Sequence, residues 1–401
     1  MNVLFVLRSF PSCGGVQSIT KIIAESLLDR GLNVTVLSCI QTLNEYDNLN
    51  SFRFHHLSLP SSVLMSDINI QYFHTILEDD KVDIIINQGV YRDVTTFLYV
   101  ALRHKKKYKV LSVIHSDPLG EIKDLKYQIS QKGFKPLIKR TFLSLYKQRI
   151  KSIYINRLKA AEAFSSAFVL LSASHINDFK ALCPKIVKPI YVIPNCVNFE
   201  DINIDDEFLA NKEKKIVYVG RIVESHKHVS RLLYIWDKIW YKHADWRLEL
   251  IGDGDDLTYN MDIAEKLHLQ NISFIGRRKN VVPYLIKASI VCLVSESEGL
   301  SMSLLEGMYF GAIPIAYASF SSINDFIINN VNGFSITPYK QEEYISKLEM
   351  LMMDVDLRIK LAKEAKKMTK SFSLESVTDK WIDLFLSLIH ISEPTRPRLI
   401  S

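Results

Sequence analysis

The feature that most constrains the fold is an alternation of short apolar runs with segments of helical periodicity along almost the whole 401-residue chain. This alternation predicts parallel strands whose connecting helices cover the sheet. A polar stretch, Asn198–Lys214, separates the runs into two series and is interpreted as a linker. In the first series, strands are predicted at Asn2–Leu7, Asn33–Cys39, Phe52–Leu59, Val82–Gln88, Tyr108–His115, Ala167–Ser172 and Ile190–Asn195. In the second, they are predicted at Lys214–Gly220, Trp246–Gly252, Ile272–Gly276, Ser289–Ser295, Ile313–Tyr317 and Gly333–Thr337.

The two series predict an α/β chain with two doubly wound, Rossmann-like domains that face each other across a central cleft. We place the first domain at residues 1–197, the second at 198–373 and a final helix at 374–385. Ligands of such sheets bind at the carboxyl ends of the strands. Between the first strands, helices are predicted at Gln17–Arg30, closed by Gly31, and at Asp93–Lys105.

Composition and cysteine usage restrict the cellular context. The chain is 48% hydrophobic and 23% charged, which is typical of soluble globular proteins. Its five cysteines are scattered and form no CxxC pair, which argues against a disulfide framework or a zinc site and fits a reducing cytosol. The apolar run Asn2–Leu7 is too short for a signal peptide, and no run reaches the roughly 20 residues of a membrane span. A cytoplasmic location is therefore predicted.

The last residues are interpreted apart from the rest of the chain. Leu386–Arg396 resembles the in-frame translation of a sequencing adapter. We therefore treat residues 386–401 as an artefact tail that carries no information about the fold, and expect the natural sequence to be cut near Phe385.

The net charge of +6 is concentrated in one segment. Between Glu121 and Ala160, eleven Lys and Arg residues stand against two acidic residues, Glu121 and Asp124. Apolar residues recur there at helical spacing, so residues 121–160 predict a basic amphipathic helix that can lie on an anionic membrane surface. The alternative is a solvated helix whose apolar stripe packs on its own domain. No nucleic-acid motif accompanies the charge, so nucleic acid is not predicted as a partner.

Two carboxylates, Glu298 and Glu306, flank a predicted transition from loop to helix. Ser303 and Glu306 fit an S-x-x-E capping box, which predicts that the helix begins at this point. Eight helical residues would separate the carboxylates by about 12 Å along the axis, whereas a glycosidase pair needs roughly 5–9.5 Å. They would therefore contact different ends of one long ligand, with a phosphate at the free amides between them. The alternative is a solvated loop residue at 298 and a simple capping residue at 306.

Two further segments place positive charge or free amides at predicted strand ends. Arg221 follows the strand that ends at Gly220, and Lys227 precedes the next predicted helix, so both cations can neutralise a diphosphate. Gly14 and Gly15 follow the first strand, permit positive φ and close approach of the backbone, and precede a helix start that can hold an anion. Their spacing is not G-x-G-x-x-G, so a dinucleotide site is not predicted.

Together these segments resemble the retaining GT-B glycosyltransferases of the glycogen-synthase-like family 4. Glu298 and Glu306 match the E-x7-E signature of that family, which implies that Glu298 contacts the donor sugar and Glu306 holds the ribose. Arg221 and Lys227 match its G-R-[LI]-x(n)-K element, which implies that both grip the leaving diphosphate. The backbone amides that would face the diphosphate belong to Leu300, Ser301, Met302 and Ser303.

The resemblance also assigns residues outside these two motifs. Gly14 and Gly15 are similar to a glycine loop that lies near the donor phosphate and the acceptor. His115, at the end of its strand, corresponds to a histidine that lies against the donor sugar. Gly276 and Arg277 fall in a loop that borders the nucleotide base. The final helix is expected to cross back to the first domain.

The implied activity is retaining transfer of a sugar from a nucleoside-diphosphate sugar, with a UDP-sugar favoured, to a hydroxyl of a glycan or lipid-linked glycan in bacterial surface-polysaccharide synthesis. No cofactor or metal is expected. Asp253 and Asp255 mimic the metal-binding DxD of another glycosyltransferase architecture, but this family has a Gly-Asp-Gly turn there. The alternatives are a nucleotide-sugar epimerase on a related fold and a non-catalytic partner subunit. The intact pairs of cations and carboxylates argue against the second.

Overall fold

The computed structural model describes residues 1–11, 14–40, 51–57, 63–104, 107–123 and 136–390, with side chains described from 144 to 389 in the last range. Within these residues the chain forms two parallel β-sheets covered by helices. This arrangement confirms the predicted α/β class with two doubly wound, Rossmann-like units. Parallel strands need crossover connections of a dozen or more residues, usually helices, and that requirement produces the alternation seen in the sequence.

The first sheet contains seven strands: β1 Asn2–Ser9, β2 Asn33–Ile40, β3 Arg53–His56, β4 Ile84–Gln88, β5 Lys109–Ile114, β6 Ala167–Leu170 and β7 Ile190–Val192. Their order in space is β3-β2-β1-β4-β5-β6-β7. The strand order therefore reverses between β1 and β4, and a crevice opens at the carboxyl ends of these two strands. Strands β1, β4 and β5 are buried on both faces, which explains their continuous apolar runs. Helices in this part of the chain are α1 Gly15–Asp29, α2 Asp67–Asp79, α3 Arg92–Leu102, α4 Pro136–Phe164 and α5 His175–Leu182.

The second sheet contains six strands: β8 Glu213–Val219, β9 Arg247–Ile251, β10 Ile272–Gly276, β11 Ala288–Leu293, β12 Ile313–Tyr317 and β13 Phe334–Ile336. Their order is β10-β9-β8-β11-β12-β13, which repeats the reversal of the first sheet beside β8. The helices are α6 Asp206–Ala210, α7 Ser230–Asp237, α8 Leu257–Lys266, α9 Val282–Lys287, α10 Met302–Tyr309, α11 Gln341–Met353, α12 Val355–Met368 and α13 Leu374–His390, with 3-10 helices at Ser321–Asp325 and Thr369–Phe372.

Every predicted strand is present, but one strand is shorter than predicted and the predicted linker contains a helix. The predicted strand Phe52–Leu59 is shorter, at Arg53–His56, and residues 58 and 59 lie outside the described part of the chain. The predicted linker contains the short helix α6, which sequence reasoning missed. Asp205 marks its start, because its carboxylate accepts a hydrogen bond from the Phe208 amide at 2.8 Å.

The carboxyl edges of the two sheets meet through polar contacts. Asp325, which follows β12, accepts hydrogen bonds from the hydroxyls of Ser172 and Ser174, which follow β6. Lys123 pairs with the buried Asp117 at 2.7 Å and also donates to the Ser319 carbonyl at 2.8 Å. These contacts place the loops after β5 and β6 opposite the loops after β11 and β12.

The last helix, α13, returns to the first sheet and packs on α1. The hydroxyls of Ser26 and Thr378 lie 2.8 Å apart, and Arg30 pairs with Asp379 at 2.8 Å. The helix continues to His390, beyond the point where the artefact tail is predicted to begin, and residues 391–401 lie outside the described part of the chain. Among the described helices, none is long and apolar enough to cross a bilayer.

Candidate active site

The centre of the site is an ion pair between Lys227 and Glu298, whose Nζ and Oε1 atoms are 2.5 Å apart. Lys227 lies in the loop between β8 and α7, and Glu298 in the loop between β11 and α10. Because β8 and β11 are neighbouring parallel strands, both loops leave the same edge of the sheet about 4.8 Å apart. The side chains are only 15% and 12% exposed, so each charge depends on the other in the absence of a ligand.

A buried carboxylate that sequence reasoning missed, Glu224, holds the loop that carries Arg221 and Lys227. It accepts hydrogen bonds from the Ser230 amide at 2.9 Å, the Ser230 hydroxyl at 2.6 Å and the Asn260 amide group at 3.0 Å. Ser230 is the first residue of α7, so Glu224 caps that helix from a distance and complements its dipole. The available sequence signal was an acidic residue between two cations, just before a helix.

Arg221 adds a second positive charge near Lys227, and the neutral His226 lies between them in the sequence. The exposed Arg221 guanidinium lies 3.4 Å from His226 Nε2, which must accept because a guanidinium can only donate. Burial, with the neighbouring charges of Lys227 and Arg221, lowers the pKa of His226 to about 4. The imidazole is therefore neutral near pH 7. Two cations and a neutral imidazole thus lie together at one strand end, and the cations make this surface suited to an anion.

Helix α10 begins earlier than the capping box predicted. Its N-cap is Ser301, and no side chain accepts from its first amides, so the prediction of a start at Ser303 is wrong. Glu306 consequently lies inside the helix, two residues beyond the position that could reach back to the cap. Gly311, with φ of 75°, follows the helix and ends it in the left-handed conformation. The uncapped amides at the amino end remain free to bind an anion.

Glu306 lies half-buried on α10, and no described residue donates a hydrogen bond to its carboxylate or pairs with it. Burial raises its pKa to about 7, because the charged form loses hydration without gaining a partner. A buried carboxylate without a partner is ready to accept hydrogen bonds from ligand hydroxyl groups. This is the behaviour implied for the ribose contact.

Nucleotide affinity is expected to rise between about pH 6 and pH 8, because ionised Glu306 is the better acceptor for two ribose hydroxyls and its pKa is about 7. The stability of the free protein should change in the opposite direction. The pKa of Glu306 is about 7 in the folded protein and 4.5 in a free side chain, so between these values the folded state binds more protons than the unfolded state. The free energy of unfolding therefore falls as pH rises from about 4.5 to 7. Titrations and thermal melts of wild type and Glu306→Gln across this range test both. Identical pH profiles for the two proteins would contradict the assignment.

His115 joins the first domain to this site. It follows β5, and its Nε2 donates to Gln88 Oε1 at 2.5 Å, while the buried Nδ1 has no partner among the described residues. Burial lowers its pKa to about 4, so the ring is neutral near pH 7. A Cβ atom at Gly299 would lie 1.9 Å from the His115 carbonyl oxygen. Only glycine permits this approach, which brings His115 next to the loop of Glu298.

The structure places the predicted glycine loop at the first sheet but does not require its glycines for left-handed backbone. Gly14 is the N-cap of α1 with φ of −177°, which any residue adopts, and Gly15 begins the helix. The freedom to adopt positive φ that glycine gives is therefore not used at these two residues. Their contribution is the amino end of α1, where no side chain in the described part of the chain caps the first amides.

The remaining predicted donor residues lie at the same edge of the second sheet. Gly276 ends β10 with φ of 73°, and Arg277 follows it as an exposed residue. Strand β10 is two strands from β8, so this loop begins about 10 Å from the start of the Arg221 loop. Leu300 and Ser301 are buried, whereas Met302 and Ser303 are half-buried. At 300 and 301, only backbone groups are left to face a ligand.

The Gly252–Asp256 turn packs against the strand end that leads to Arg221. A Cβ at Gly252 would lie 1.8 Å from the Gly220 carbonyl oxygen, so glycine is needed there. Asp253 and Asp255 are exposed, and among the residues that the structure describes, no cluster of three or more His, Cys, Asp or Glu could hold a metal ion. The geometry gives this turn a packing role.

Comparison with known sequences assigns both halves of the chain. A sequence model described as Glycosyltransferase Family 4 matches residues 13–201, and one described as Glycosyl transferases group 1 matches residues 199–368. The two matches meet at the linker and include every residue of the candidate site. The chain belongs to the GT-B glycosyltransferases of family 4. Arg221, Lys227, Glu298 and Glu306 all fall within the second match, and Gly14, Gly15 and His115 within the first.

Curated members of this family match the chain at low identity. An α-1,4-N-acetyl-D-galactosaminyltransferase of Campylobacter jejuni, named for a saccharide acceptor on diNAcBac-PP-undecaprenol, is 27% identical over 222 residues, 55% of this chain and 60% of its own length. An uncharacterized glycosyltransferase of Haemophilus influenzae is 28% identical over 175 residues, 43% of this chain and 49% of its own. The chain thus spans about half to three fifths of these two relatives. An uncharacterized glycosyltransferase of Methanocaldococcus jannaschii is 24% identical over 96% of this chain and 98% of its own.

Solved structures agree with the family over the whole fold. Sucrose-phosphate synthase from Thermosynechococcus elongatus superposes with a TM-score of 0.75 at 15% identity, covering 98% of this chain and 100% of its own. Anabaena HepE, solved with UDP and glucose, gives a TM-score of 0.70 at 16% identity, covering 96% of this chain and 100% of its own. At such identities the likeness establishes the GT-B fold alone.

Proposed function

We propose that this chain transfers a sugar from a nucleoside-diphosphate sugar to a hydroxyl of a glycan or lipid-linked glycan, with retention of anomeric configuration. The observation that carries the proposal is the contact between Lys227 and Glu298, residues 71 positions apart in the sequence. It brings a cationic loop, a carboxylate loop and the free amino end of α10 to one strand edge. Such an edge can bind a sugar, a diphosphate and a ribose in sequence.

In this proposal the diphosphate takes the place of Glu298 beside Lys227. Arg221 and the amides at the start of α10 supply further donors, so positive charge lies where the leaving group develops negative charge. Preorganised donors of this kind stabilise a transition state more than the ground state. Their effect is strengthened because Lys227 is largely withdrawn from water.

Glu298, released from Lys227, would then accept hydrogen bonds from the donor sugar, and Glu306 would hold the ribose. His115 has a buried, unpartnered Nδ1 that can accept a hydrogen bond from a sugar hydroxyl, since the ring is neutral near pH 7. The close approach of its backbone to Gly299 keeps His115 beside the loop of Glu298. The orientation of donor and acceptor across the two sheets supplies the remaining rate enhancement.

A UDP-sugar is the favoured donor, and bacterial surface polysaccharide is the favoured context. Two similarities support this choice. The fold of HepE, solved with UDP and glucose, resembles this one, and the C. jejuni relative is named for a lipid-linked saccharide acceptor. The donor base itself would be read by the loop of Gly276 and Arg277.

Slow transfer to water tests the proposal without knowledge of the acceptor. The purified full chain is incubated with UDP-glucose, UDP-galactose, UDP-N-acetylglucosamine and UDP-N-acetylgalactosamine, and products are followed by proton NMR. We expect one donor to release UDP together with the α-anomer of its sugar, before mutarotation. A β-anomer would contradict retention, and conversion to an epimer of the sugar would identify an epimerase. Glu298→Gln serves as the control for release that does not depend on the site.

Transfer is expected to need no metal ion, because Arg221, Lys227 and the helix amides already supply the positive charge that a metal would bring to the diphosphate. Treatment with EDTA should leave the initial rate within about twofold of the untreated enzyme, and Asp253→Asn with Asp255→Asn should behave like wild type. A large loss that Mg²⁺ or Mn²⁺ restores would show that this part of the proposal is wrong.

The basic helix α4 would hold the chain on an anionic membrane surface, where a lipid-linked acceptor is presented. The described side chains from 144 onwards support this role: Leu145 is 64% exposed and Ile153 44% exposed, beside the exposed cations Arg149 and Lys151. Exposed apolar and basic side chains together favour binding to anionic lipid. Near its end the helix packs inward through buried Tyr154 and Leu158, so the alternative of a packed helix holds for that end.

Binding to vesicles tests the membrane role directly. The quadruple variant Leu145→Ser, Arg149→Gln, Lys151→Gln, Ile153→Ser should lose at least tenfold in affinity for phosphatidylglycerol vesicles, since each basic residue near the surface contributes about 1 kcal/mol. The matched control, Lys214→Gln with Lys238→Gln, changes two exposed lysines of the second domain and should bind as wild type does. Wild type that binds neither anionic nor neutral vesicles, or a quadruple variant that binds as wild type does, would favour a soluble acceptor.

A further inference from the structure

Glu296 lies two residues before Glu298 but belongs to neither motif. Its side chain is almost fully buried, with 8% of the residue exposed. Its carboxylate accepts a hydrogen bond from the Tyr339 hydroxyl and lies 3.3 Å from Nη2 of Arg231. A buried carboxylate whose two side-chain partners are not themselves ligand-facing residues is suited to fixing loops in place.

Glu296 and its two side-chain partners belong to three different segments of the second domain. Glu296 is in the loop after β11, Arg231 is at the start of α7, and Tyr339 is in the loop after β13. Arg231 also donates to the Val294 carbonyl at 3.4 Å, and its guanidinium lies over the Tyr339 ring at 4.9 Å from the centroid. Two loops that follow strands of the second sheet and the first turn of α7 are thus held together at one point.

The same residue also fastens the backbone beside Lys227. The Glu296 amide donates to the His226 carbonyl at 2.7 Å, and the next residues are Lys227 and then His228, whose φ is 48°. A left-handed residue that is not glycine is held by its surroundings rather than by its own preference. His228 Nε2 lies 4.0 Å from the Glu296 carboxylate, and its pKa is lowered to about 4 by burial and by Arg231, so Arg231 is the cation that balances Glu296 near pH 7.

We propose that Glu296 is a positioning residue for Lys227. It binds no part of the donor. Its carboxylate holds Arg231 and Tyr339 and so fixes the loop after β11, whose backbone amide at 296 anchors the turn of residues 226–228 and places the Lys227 amine where it can donate to a diphosphate. The inference rests on the proposed function, because it needs the diphosphate site. The inference is distinguished by the direction in which loss of Glu296 changes the affinity for a diphosphate. Removing a negative charge near an anion site should by itself strengthen binding, whereas loss of positioning weakens it.

UDP binding is the test, with calorimetric titration of the full chain and UDP as the probe. Glu296→Ala is expected to weaken UDP binding about tenfold despite the lost negative charge. In a Lys227→Met background the same change should cost less than twofold, because a residue that acts through Lys227 has no effect once Lys227 is gone. Glu342→Gln, which removes an exposed negative charge from the same domain, is the matched control and should bind as wild type does.

A second variant protects the test against misfolding. Tyr339→Phe removes only the hydroxyl that donates to Glu296, from a residue that is 56% exposed, and should weaken UDP binding about threefold. Unchanged or tighter binding in both Glu296→Ala and Tyr339→Phe overturns the inference, as does an equal loss with and without Lys227. A wild-type chain that binds none of UDP, GDP or ADP overturns the proposed function and this inference with it, and that failure is visible before any variant is made.

Discussion

Replacing Lys227 with Ala is expected to lower kcat by about 100-fold or more, the size of effect seen when one preorganised donor to a developing charge is removed. In the free protein Lys227 contacts Glu298 at 2.5 Å, and in the proposed complex it contacts the leaving diphosphate. No other described cation lies as near Glu298, so a substitute is not at hand. The rate is measured as UDP release from the donor that the NMR assay identifies.

The control for this variant must separate chemistry from folding. Lys227→Ala leaves the mostly buried Glu298 without a cation, which costs stability. Melting temperatures are therefore compared, and rates are measured well below the lower one. Lys214→Ala, which breaks an exposed pair with Asp245 at 2.5 Å, is the matched control and should turn over normally. Near-wild-type turnover by a folded Lys227→Ala protein would refute the role given to Lys227.

Glu298→Gln is expected to change turnover and nucleotide binding in opposite directions. Turnover should fall by about 100-fold or more, because the contact with the donor sugar loses its charge. UDP carries no sugar, and Glu298 competes with its diphosphate for Lys227 in the free protein. Weakening that competitor should tighten UDP binding by about fivefold, equivalent to ~1 kcal/mol for one hydrogen bond.

The comparison with Glu306→Gln makes this prediction specific. Glu306 has no described partner to release, so its loss should weaken UDP binding. Two glutamates of one motif would then have effects of opposite sign on the same ligand. Weaker UDP binding by Glu298→Gln would show that the ion pair seen in the free protein does not compete with the diphosphate. Glu342→Gln again sets the baseline for a lost charge.

The strands were predictable because burial on both faces of a parallel sheet leaves an unbroken apolar run. Strand β11, Ala288–Leu293, is buried at all six positions and was found in this way. That both Lys227 and Glu298 lie at a carboxyl edge was predictable for the same reason. The direct contact between the two side chains was not predictable. It depends on β8 lying beside β11 in the sheet, although β9 and β10 come between them in the sequence.

The error at α10 and the unused freedom at α1 arose where local sequence allows more than one start or conformation. Ser301 and Ser303 are both good caps, and the tertiary contacts of buried Leu300 and Ser301 select the earlier one. Gly14 and Gly15 permit left-handed backbone, but the loop does not use it. The capping acid Asp205 of the short helix α6 was visible in the sequence, yet a polar stretch between domains was interpreted as linker.

The supporting residues were the hardest to predict, since nothing local marks them. Glu224 and Glu296 are ordinary acidic residues in sequence, and each acquires its role from donors on other elements. Glu224 binds Asn260 of α8, and Glu296 binds Tyr339 beyond β13. Charged residues are rarely buried without partners. A buried glutamate beside a binding loop is therefore a sign of positioning, but burial is known only from the fold.

Titration of the full chain with UDP, GDP and ADP by thermal shift tests the central claim most directly, because a ligand that binds only the folded state raises the melting temperature according to its affinity. We expect a clear shift with one nucleotide, with UDP the first expectation. That shift should be lost in Glu306→Ala and enlarged in Glu298→Gln. A folded wild-type protein whose melting temperature none of the three nucleotides changes would contradict the proposed nucleotide-sugar site.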